Sequence, residues 1–365
     1  MAKTSVTVLV TSAGGAFTFD YARGLRRDPD LDIRIVGTDL RDDAPAAGIL
    51  DAFYQVPPAD RSSSDFRDRL LDICRREAVQ VVIPGSDGEA LAIASLAGAL
   101  REQGVLASVP DPAPVLLCNE KRALYTKLRS AGVDMAGFVF VDSADDFEKG
   151  LRTLGYPDVR AVLKPSVGAG SRKTFIIDAS CPTLELHDPK RFNGRSNASS
   201  LVEGVDRDTF FRNGILMEYV DNPFFDVDVL LEAGRVAIVV PRMRHVNQGM
   251  DTVSIGHQLC FRDDVIALAR RTAEVVGFAH CGDMDIGSRL AGGLTILDVS
   301  CRFSGSVNAT VDAGLSLPLQ LVRSLLGLPF TPCTLEEGTR CVPFHHMVAV
   351  GPATAGARIA LPFAE

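Results

Sequence analysis

Residues 281–302 (CGDMDIGSRLAGGLTILDVSCR) constrain the fold of this chain more than any other segment. Two short runs flank residues 291–293 (AGG), and this combination predicts two antiparallel strands joined by a tight turn. A two-residue turn at either position within AGG would bring Asp285 opposite Asp298 or opposite Ser300. The segment therefore predicts a β-hairpin with polar groups meeting across its two strands.

The polar groups of this hairpin share one face. Side chains alternate between the two faces of a strand, so Asp298, Ser300 and Arg302 point the same way, and the turn brings Asp285 to their side. Carboxylate and hydroxyl oxygens suit Mg²⁺, and a guanidinium suits a phosphate oxyanion. A solvated strand face with an Arg–Asp ion pair is the alternative that this segment leaves open.

Composition excludes several classes of protein. The chain has 365 residues, enough for two or three domains, with 46% hydrophobic and 23% charged residues. A net charge of -8 without a dense Lys/Arg run argues against a broad nucleic-acid interface. No apolar run of about 18 residues predicts a membrane span, and the first residues do not resemble a signal peptide. Eight scattered Cys without a C-x-x-C pair predict reduced thiols. We expect a soluble cytoplasmic protein.

The first part of the chain alternates strands and helices. Apolar runs at 6–10, 33–39, 52–56 and 79–84 predict strands, and segments 63–77 and 87–103 predict helices. Such alternation is typical of a parallel sheet with helices on its faces.

The pattern changes after a helical connector at residues 111–132. Strands are predicted at 161–164, 173–178, 215–219, 226–232 and 236–244, the last two joined at Ala233-Gly234, and helices at 263–276 and 317–326. The polar segment 187–214 predicts a mobile loop or lid. This half is predicted to be α+β with antiparallel pairing.

A glycine-rich loop, residues 164–172 (KPSVGAGSR), lies between two predicted strands. Gly168, Gly170 and Ser171 would let backbone N–H groups approach phosphate oxygens, and Lys164 would supply charge. The loop lacks the G-x-x-x-x-G-K-[ST] pattern, so an ordinary hairpin loop is the alternative.

A second turn, residues 11–15, together with Asp39, partly matches a dinucleotide-binding fingerprint. The full G-x-G-x-x-G is missing, yet an NAD(P)-dependent oxidoreductase stays open as an alternative function.

Two further strands carry polar residues. Arg242 and Arg244 share a face and could reach a phosphate or carboxylate, although a solvated strand end is the alternative. Glu218 ends an apolar run and is either a ligand contact or part of the strand's solvent face.

Together and in this order, these motifs resemble the ATP-grasp ligases, in the branch similar to the large chain of carbamoyl phosphate synthetase. The resemblance covers roughly residues 5–330. Asn119-Glu120-Lys121 looks like the family's Asp-Lys, which makes Lys121 a nucleotide contact, and Lys164 with the GAGSR loop looks like the flap over the phosphates.

The same resemblance implies roles for the later motifs. Residues 218–220 look like the hinge beside adenine, with Glu218 and Val220 as nucleotide contacts. Further matches are the metal ligands Asp285, Asp298 and Ser300, and the arginines Arg302 and Arg242 that would face the acyl phosphate or the substrate carboxylate.

The chain departs from the family pattern at two places. The usual Glu-x-Asn-x-Arg reads Asp298-Val-Ser300-Cys-Arg302, so the second metal ligand is one methylene shorter and Ser replaces an amide. Phe225 stands where a ribose-binding Glu is usual, and Asp226 or Asp228 could substitute for that Glu.

The resemblance implies an N-terminal parallel-sheet domain (1–110), a helical connector with a flap or lid (111–214), a catalytic subdomain (215–330) and a tail (331–365). It implies an ATP- and Mg²⁺-dependent enzyme that joins a small carboxylate to an amine, both amino-acid-like, through an acyl phosphate. Lys164, Arg242 and Arg302 would be catalytic, and the protein would be a homodimer without nucleic-acid or membrane partners. A non-catalytic nucleotide-binding protein is the second alternative.

Overall fold

The computed structural model describes residues 3–15, 17–59, 64–168, 171–246 and 254–343. The chain divides into two compact units. The first comprises residues up to Ser108 and Pro318–Phe330, and the second comprises Val109–Leu317 and Thr331–Pro343.

The first unit is built on a parallel sheet. Its strands are β1 (Thr4–Val10), β2 (Leu31–Asp39), β3 (Ala52–Gln55), β4 (Val81–Ile83) and β5 (Leu106–Ala107). They lie in the order β3-β2-β1-β4-β5, all parallel. Its helices before Ser108 are α1 (Thr18–Leu25), α2 (Ser64–Arg76), α3 (Asp87–Ser95) and α4 (Ala97–Glu102). Consecutive residues Val8, Leu9 and Val10 are all buried, as expected for a strand covered on both faces. The predicted parallel sheet is confirmed.

One predicted helix of this unit is broken. The segment expected to form a single helix over 87–103 bends at Leu96, which ends α3 and precedes α4 with φ -98° and ψ -1°. These angles lie between the helical and bridge regions, and a helix does not continue straight through them.

The second unit contains two sheets, of which the first in chain order is the flap sheet. Its strands are β6 (Phe138–Val141), β7 (Ala161–Pro165), β8 (Phe175–Ile177), β9 (Glu185–Asp188), β10 (Asn193–Ser196) and β11 (Gly214–Glu218). They lie in the order β6-β11-β7-β8-β10-β9. Helices of this part of the chain are α5 (Pro112–Asn119), α6 (Lys121–Ser130), α7 (Ala144–Thr153) and α8 (Ala198–Gly204).

Residues 187–214 are predicted to form a mobile loop or a lid; the loop is wrong, and the lid stays a prediction. The segment contains β10 and α8, and it buries Leu201, Val202 and Phe211 in a core shared with Phe147 and Phe175. Strands and helices this short show no clear periodicity in the sequence, so only their tertiary contacts reveal them.

The second sheet, here called the catalytic sheet, has longer strands. They are β12 (Val220–Glu232), β13 (Arg235–Val246), β14 (Ser254–Leu259), β15 (Cys281–Arg289), β16 (Leu294–Ser300) and β17 (Arg340–Cys341), in the order β16-β15-β12-β13-β14-β17. Helices α9 (Asp263–Val276) and α10 (Asn308–Asp312) also belong to the second unit, whereas α11 (Leu317–Leu325) lies in the first unit from Pro318 onwards. Helix α9 packs on this sheet through Val265, Ala269 and Ala273, and ends at Gly277, whose φ of 85° is left-handed.

The hairpin of β12 and β13 turns where the sequence predicts. Glu232 pairs with Arg235, so Ala233 and Gly234 form a two-residue loop with φ of 49° and 75°. Two positive φ angles are typical of the type I′ turn, which matches the twist of the flanking strands.

The hairpin of β15 and β16 is only partly as predicted. Its loop comprises residues 290–293, four residues instead of two, with positive φ at Gly292 and Gly293. Asp285 nevertheless lies opposite Asp298, because a β-bulge at Leu297 restores the register that the longer loop would shift. None of the helices in the described part of the chain is long and apolar enough to cross a membrane.

Candidate active site

Three carboxylates form a row across the catalytic sheet. The register places Asp226 of β12 opposite Asp285 of β15, and Asp285 opposite Asp298 of β16. Directly opposite residues share a face, with Cβ atoms about 4.5–5.5 Å apart, and like charges in such pairs are destabilising. This acidic row (Asp226, Asp285 and Asp298) therefore needs cations.

Basic side chains from other elements supply part of that charge. Arg244 of β13 pairs with Asp226 and donates from Nη2 to Asp285 Oδ1 at 2.8 Å. Lys121, the first residue of α6, places Nζ 3.1 Å from Asp298 Oδ1. Each carboxylate of the row thus has a cationic partner in this structure.

Asp285 stays short of positive charge despite Arg244. Burial raises the pKa of Asp285 to about 6, the carboxylates of Asp226 and Asp298 add to the rise, and Arg244 opposes it. An added cation between Asp285 and Asp298 would lower this pKa, so the pair favours a positively charged ligand.

A cavity of ≈ 460 Å³ lies over Asp285 and Asp298. This volume is within the range of small-molecule binding sites. Its cationic lining residues are Lys121, Lys164, Arg172, Arg191 and Arg244, and its apolar lining includes Val162, Ile176, Phe224 and Leu297. The cavity therefore combines an apolar wall with one that can bind a polyanion.

Lys164, on β7 of the flap sheet, lies in this cavity. Its Nζ donates to Tyr125 Oη at 2.7 Å and to the carbonyl of Leu297 at 2.9 Å. Burial lowers the pKa of Lys164 to about 8, although Asp298 and Asp285 oppose that shift. A poorly hydrated ammonium of this kind gains more from an anionic ligand than an exposed lysine does.

The glycine-rich loop also borders the cavity. Gly168 and Ser171 line it, with φ of 136° and 57°, and the carbonyl of Gly168 accepts from Lys121 Nζ at 2.9 Å. Gly170 lies outside the described residues. The loop and the first residue of α6 are thereby joined at the cavity edge.

The acidic row fits a magnesium ion that is shared with a ligand. Asp285 and Asp298 offer hard oxygen donors from opposite positions, and a cation between them would offset the effect of burial on the pKa of Asp285. Among the described residues, no three His, Cys, Asp or Glu side chains form a metal site by themselves. Proteins hold Mg²⁺ through one or two carboxylates plus phosphate oxygens and water, and Asp285 and Asp298 could supply such a pair.

Ser300 does not belong to that pair. It is buried one position deeper along β16, opposite Asp283, and it is absent from the cavity lining among the described residues. The cavity lining therefore does not support the sequence expectation of a third metal ligand at Ser300, and that role stays a prediction.

The structure does not support the expected role of Arg242 at a phosphate or carboxylate. Its side chain is fully buried and pairs with fully buried Asp228, Nη2 to Oδ2 at 2.6 Å, while Ser304 donates to the same carboxylate. Two charges that neutralise each other inside the protein reach neither phosphate nor ribose, so Arg242 and Asp228 are structural. Arg244, two residues along the same face, occupies the position expected for Arg242.

Asp226 is likewise committed to protein partners. Its carboxylate accepts from Arg244 and Ser306 and pairs with His257 Nε2 at 2.8 Å. Although burial acts in the opposite direction, Arg244 and His257 hold the pKa of Asp226 below its usual range. The expectation that Asp226 replaces the ribose-binding Glu at Phe225 is not supported, since this carboxylate is buried and already bonded.

Arg302 lies two residues beyond the end of β16, beside Asp283. Its Nη1 lies 3.4 Å from Asp283 Oδ2 and donates to the carbonyl of Phe303 at 2.8 Å. Burial, followed by the neighbouring carboxylates Asp228 and Asp285, raises the pKa of Asp283 well above its usual range. Arg302 is therefore held beside the row by a carboxylate, and its contact with an acyl phosphate stays a prediction.

The expected hinge lies where β11 meets β12. Glu218 donates its N–H to the carbonyl of Gly137 at 2.8 Å, and its carboxylate lies against Gly137. Val220 is fully buried. Neither side chain is among the described residues lining the cavity, so their roles as nucleotide contacts stay predictions.

Two functional candidates were missed in the sequence. Arg244 shares a predicted strand face with Arg242, and nothing in the local sequence distinguishes the two. Tyr125 lies four residues after Lys121 on α6, a spacing that places both side chains on one helix face. That spacing was the available signal for Tyr125.

Two family models match the chain. Residues 210–346 match the family described as ATP-grasp in the biosynthetic pathway with Ter operon, and residues 8–107 match the PylC-like N-terminal domain.

Individual proteins resemble the chain more distantly. The formate-dependent phosphoribosylglycinamide formyltransferase of Mannheimia haemolytica is 22% identical over 175 residues, which is 48% of this chain and 42% of that protein. The chain thus matches less than half the length of this relative.

Solved structures share the fold. N5-carboxyaminoimidazole synthetase from Staphylococcus aureus has a TM-score of 0.67 at 15% identity, over 92% of this chain and 81% of that one. L-amino acid ligase from Bacillus licheniformis has a TM-score of 0.60 at 14% identity, over 89% and 75%. The solved structures confirm the fold class that the sequence predicts, and the two family models agree with the ATP-grasp resemblance over residues 210–346 and 8–107.

Proposed function

We propose that the chain is an ATP-grasp ligase that joins a small carboxylate to an amine through an acyl phosphate, with release of ADP and phosphate. One observation carries the proposal: Lys121, Lys164 and Arg244 line the same cavity as the opposed carboxylates Asp285 and Asp298. One cavity thereby contains basic side chains that can bind a polyphosphate and carboxylates that can bind the accompanying Mg²⁺.

The lysines bind and orient the nucleotide. Lys164 has used two of its three N–H donors on protein oxygens, which leaves one for a phosphate oxygen. Lys121 is held between Gly168 and Asp298 and supplies a second positive charge at the flap. A triphosphate fixed in this way has its terminal phosphorus oriented for attack by an oxygen nucleophile.

Asp285 and Asp298 would hold Mg²⁺ against the terminal phosphates. When bound, the ion neutralises charge that develops on the phosphate oxygens. In this structure Arg244 is bonded to both Asp226 and Asp285. When Mg²⁺ and nucleotide bind, its bond to Asp285 would have to break, whereas its bond to Asp226 could remain.

The reaction that this site would support has two steps. A carboxylate oxygen of the substrate attacks the terminal phosphorus, the bond to the bridging oxygen breaks, and ADP leaves. The amine then attacks the acyl carbon, phosphate leaves with the carboxylate oxygen, and the amine proton passes to phosphate or water. Arg302 would stabilise the anionic acyl phosphate and tetrahedral intermediate, and the closed flap would exclude water.

The substrates are proposed to be amino-acid-like. The similarity in fold to an L-amino acid ligase supports this class. The apolar wall formed by Val162, Ile176, Phe224 and Leu297 is suited to an adenine ring, which would leave the acidic row for the reacting groups.

The proposal is tested by phosphate release from ATP across a panel of carboxylate and amine pairs. Carboxylate labelled with ¹⁸O should transfer one labelled oxygen to the released phosphate, because the acyl phosphate breaks at its carbon–oxygen bond. Asp298→Asn should lose turnover by about 100-fold or more. Asp208→Asn, at an exposed position, is the matched control and should keep it.

ATP binding without turnover for any pair would instead favour a non-catalytic nucleotide-binding protein. Turnover without transfer of label would refute the acyl phosphate while leaving the nucleotide site intact.

A further inference from the structure

The bulge at Leu297 frees a backbone carbonyl beside the cavity. Asp298 pairs with Asp285 and Ile296 pairs with Ile286, so Leu297 has no opposite residue on β15. Its carbonyl oxygen accepts instead from the side chains of Tyr125 and Lys164, each at 2.9 Å. The β-bulge thus leaves a backbone carbonyl available to accept a hydrogen bond from a lysine of the cavity.

Tyr125 closes a triangle of hydrogen bonds around this carbonyl. Its hydroxyl donates to Leu297 and accepts from Lys164 Nζ at 2.7 Å. The ring is fully buried and packs edge-on against Phe138, with centroids 5.1 Å apart. A hydroxyl held by a buried ring has little freedom to move, so it defines where the ammonium lies.

We propose that Tyr125 is a positioning residue that aligns Lys164 with the metal-binding carboxylates. The carbonyl of Leu297 and the backbone nitrogen of Asp298 belong to the same peptide group, so the triangle ties the phosphate-binding ammonium to one of the proposed metal ligands. The inference rests on the proposed function, because it assigns Lys164 to a phosphate.

The two hydrogen bonds of Lys164 fix the direction of its ammonium group. An ammonium with two fixed acceptors has its third N–H directed, which reduces the entropy lost when a phosphate binds. Without the hydroxyl, Lys164 would keep only the carbonyl of Leu297 and could turn towards Asp298. The phosphate would then have to reorient the lysine at binding.

The test is Tyr125→Phe, which keeps the ring and removes one oxygen. The dissociation constant for ATP, measured by calorimetry, should rise about tenfold, the usual effect of losing one hydrogen bond to a charged group. Tyr54→Phe is the matched control: it also removes a hydroxyl bonded to a charged side chain, Glu77, in the first unit, and should leave the constant unchanged.

A double-mutant cycle separates positioning from a general effect on folding. If Tyr125 acts through Lys164, the double variant Tyr125→Phe/Lys164→Met should bind ATP no more weakly than Lys164→Met alone. Additive losses, or a change below twofold in Tyr125→Phe, would overturn the inference.

A measurement without nucleotide keeps this test distinct from that of the proposed function. The acetylation of Lys164 by an amine-reactive ester, followed by mass spectrometry, should be at least threefold faster in Tyr125→Phe. The ester reacts with the unprotonated amine, and loss of the hydroxyl removes an acceptor that both stabilises the ammonium and restrains the side chain. An unchanged rate would overturn the positioning role even if ATP binds as proposed. Failure of the wild-type chain to bind ATP, with the faster acetylation present, would refute the proposed function alone.

Discussion

Replacing Lys164 with methionine should stabilise the protein at neutral pH and weaken nucleotide binding. Burial lowers the pKa of Lys164 from 10.5 to about 8. Each pKa unit is worth about 1.4 kcal/mol, so the charged lysine costs at most roughly 3.5 kcal/mol of folding free energy. The side chain keeps some contact with solvent, and we therefore expect a gain of about 1–2 kcal/mol in the variant.

The difference in stability between the variant and the wild-type chain should decrease as pH rises. Below pH 8 the lysine is charged in both the folded and the unfolded state, and the full cost is present. Between pH 8 and 10.5 the folded state loses the proton first, so the wild-type chain becomes more stable relative to the variant as pH rises. The advantage of the variant should disappear towards pH 10.5.

The substitution Lys164→Met leaves the hydroxyl of Tyr125 and the carbonyl of Leu297 with a hydrogen-bond partner. Tyr125 still donates to the carbonyl of Leu297 when the ammonium is gone, and methionine fills a similar volume. ATP would lose a charge-assisted hydrogen bond worth about 1.5–3 kcal/mol, a loss of roughly 10- to 150-fold in affinity.

Melting temperatures at pH 7 and pH 10 and calorimetric titration with ATP test both effects. We expect a rise of a few degrees at pH 7, a smaller rise at pH 10, and weaker ATP binding. A lower melting temperature at pH 7 would show that the ammonium is not under a desolvation cost. Unchanged affinity for ATP would remove Lys164 from the phosphate site.

Three further outcomes follow from the structure. Arg302→Ala should reduce turnover by about 100-fold, as for other oxyanion-stabilising donors, and a loss of tenfold or less would place Arg302 outside the chemistry. Asp228→Ala leaves Arg242 buried without its carboxylate and should lower the free energy of unfolding by about 3–5 kcal/mol in urea titrations; Asp264→Ala, which breaks an exposed pair, should cost less than about 1 kcal/mol. Mn²⁺ affinity, followed by electron paramagnetic resonance, should weaken as pH falls below about 6, because protonated Asp285 is a poor ligand; equal affinity at pH 5 and pH 7 would contradict this role.

The sequence was sufficient where local rules apply. The parallel sheet of the first unit follows from apolar runs that alternate with amphipathic segments. The type I′ turn at Ala233-Gly234 follows from its residues and spacing. The same local reasoning failed over residues 187–214, because strands of four residues and one short helix take their stability from a shared aromatic core.

The geometry of the acidic row depends partly on the local sequence and partly on the tertiary structure. That Asp285 and Asp298 share a face is determined by the sequence, because side chains alternate along any strand. Their direct opposition depends on a bulge at Leu297 that compensates a four-residue loop, and the flanking sequence does not specify it.

Burial was decided only by the tertiary structure. Arg242 and Arg244 are the same residue type on the same strand face, yet one is enclosed with Asp228 and the other reaches the cavity. What separates them is the chain segment that covers each position, where Ser304 bonds the Arg242 pair. A sequence specifies the chemistry that its residues can perform, whereas contacts between distant segments determine which of those residues a ligand can reach.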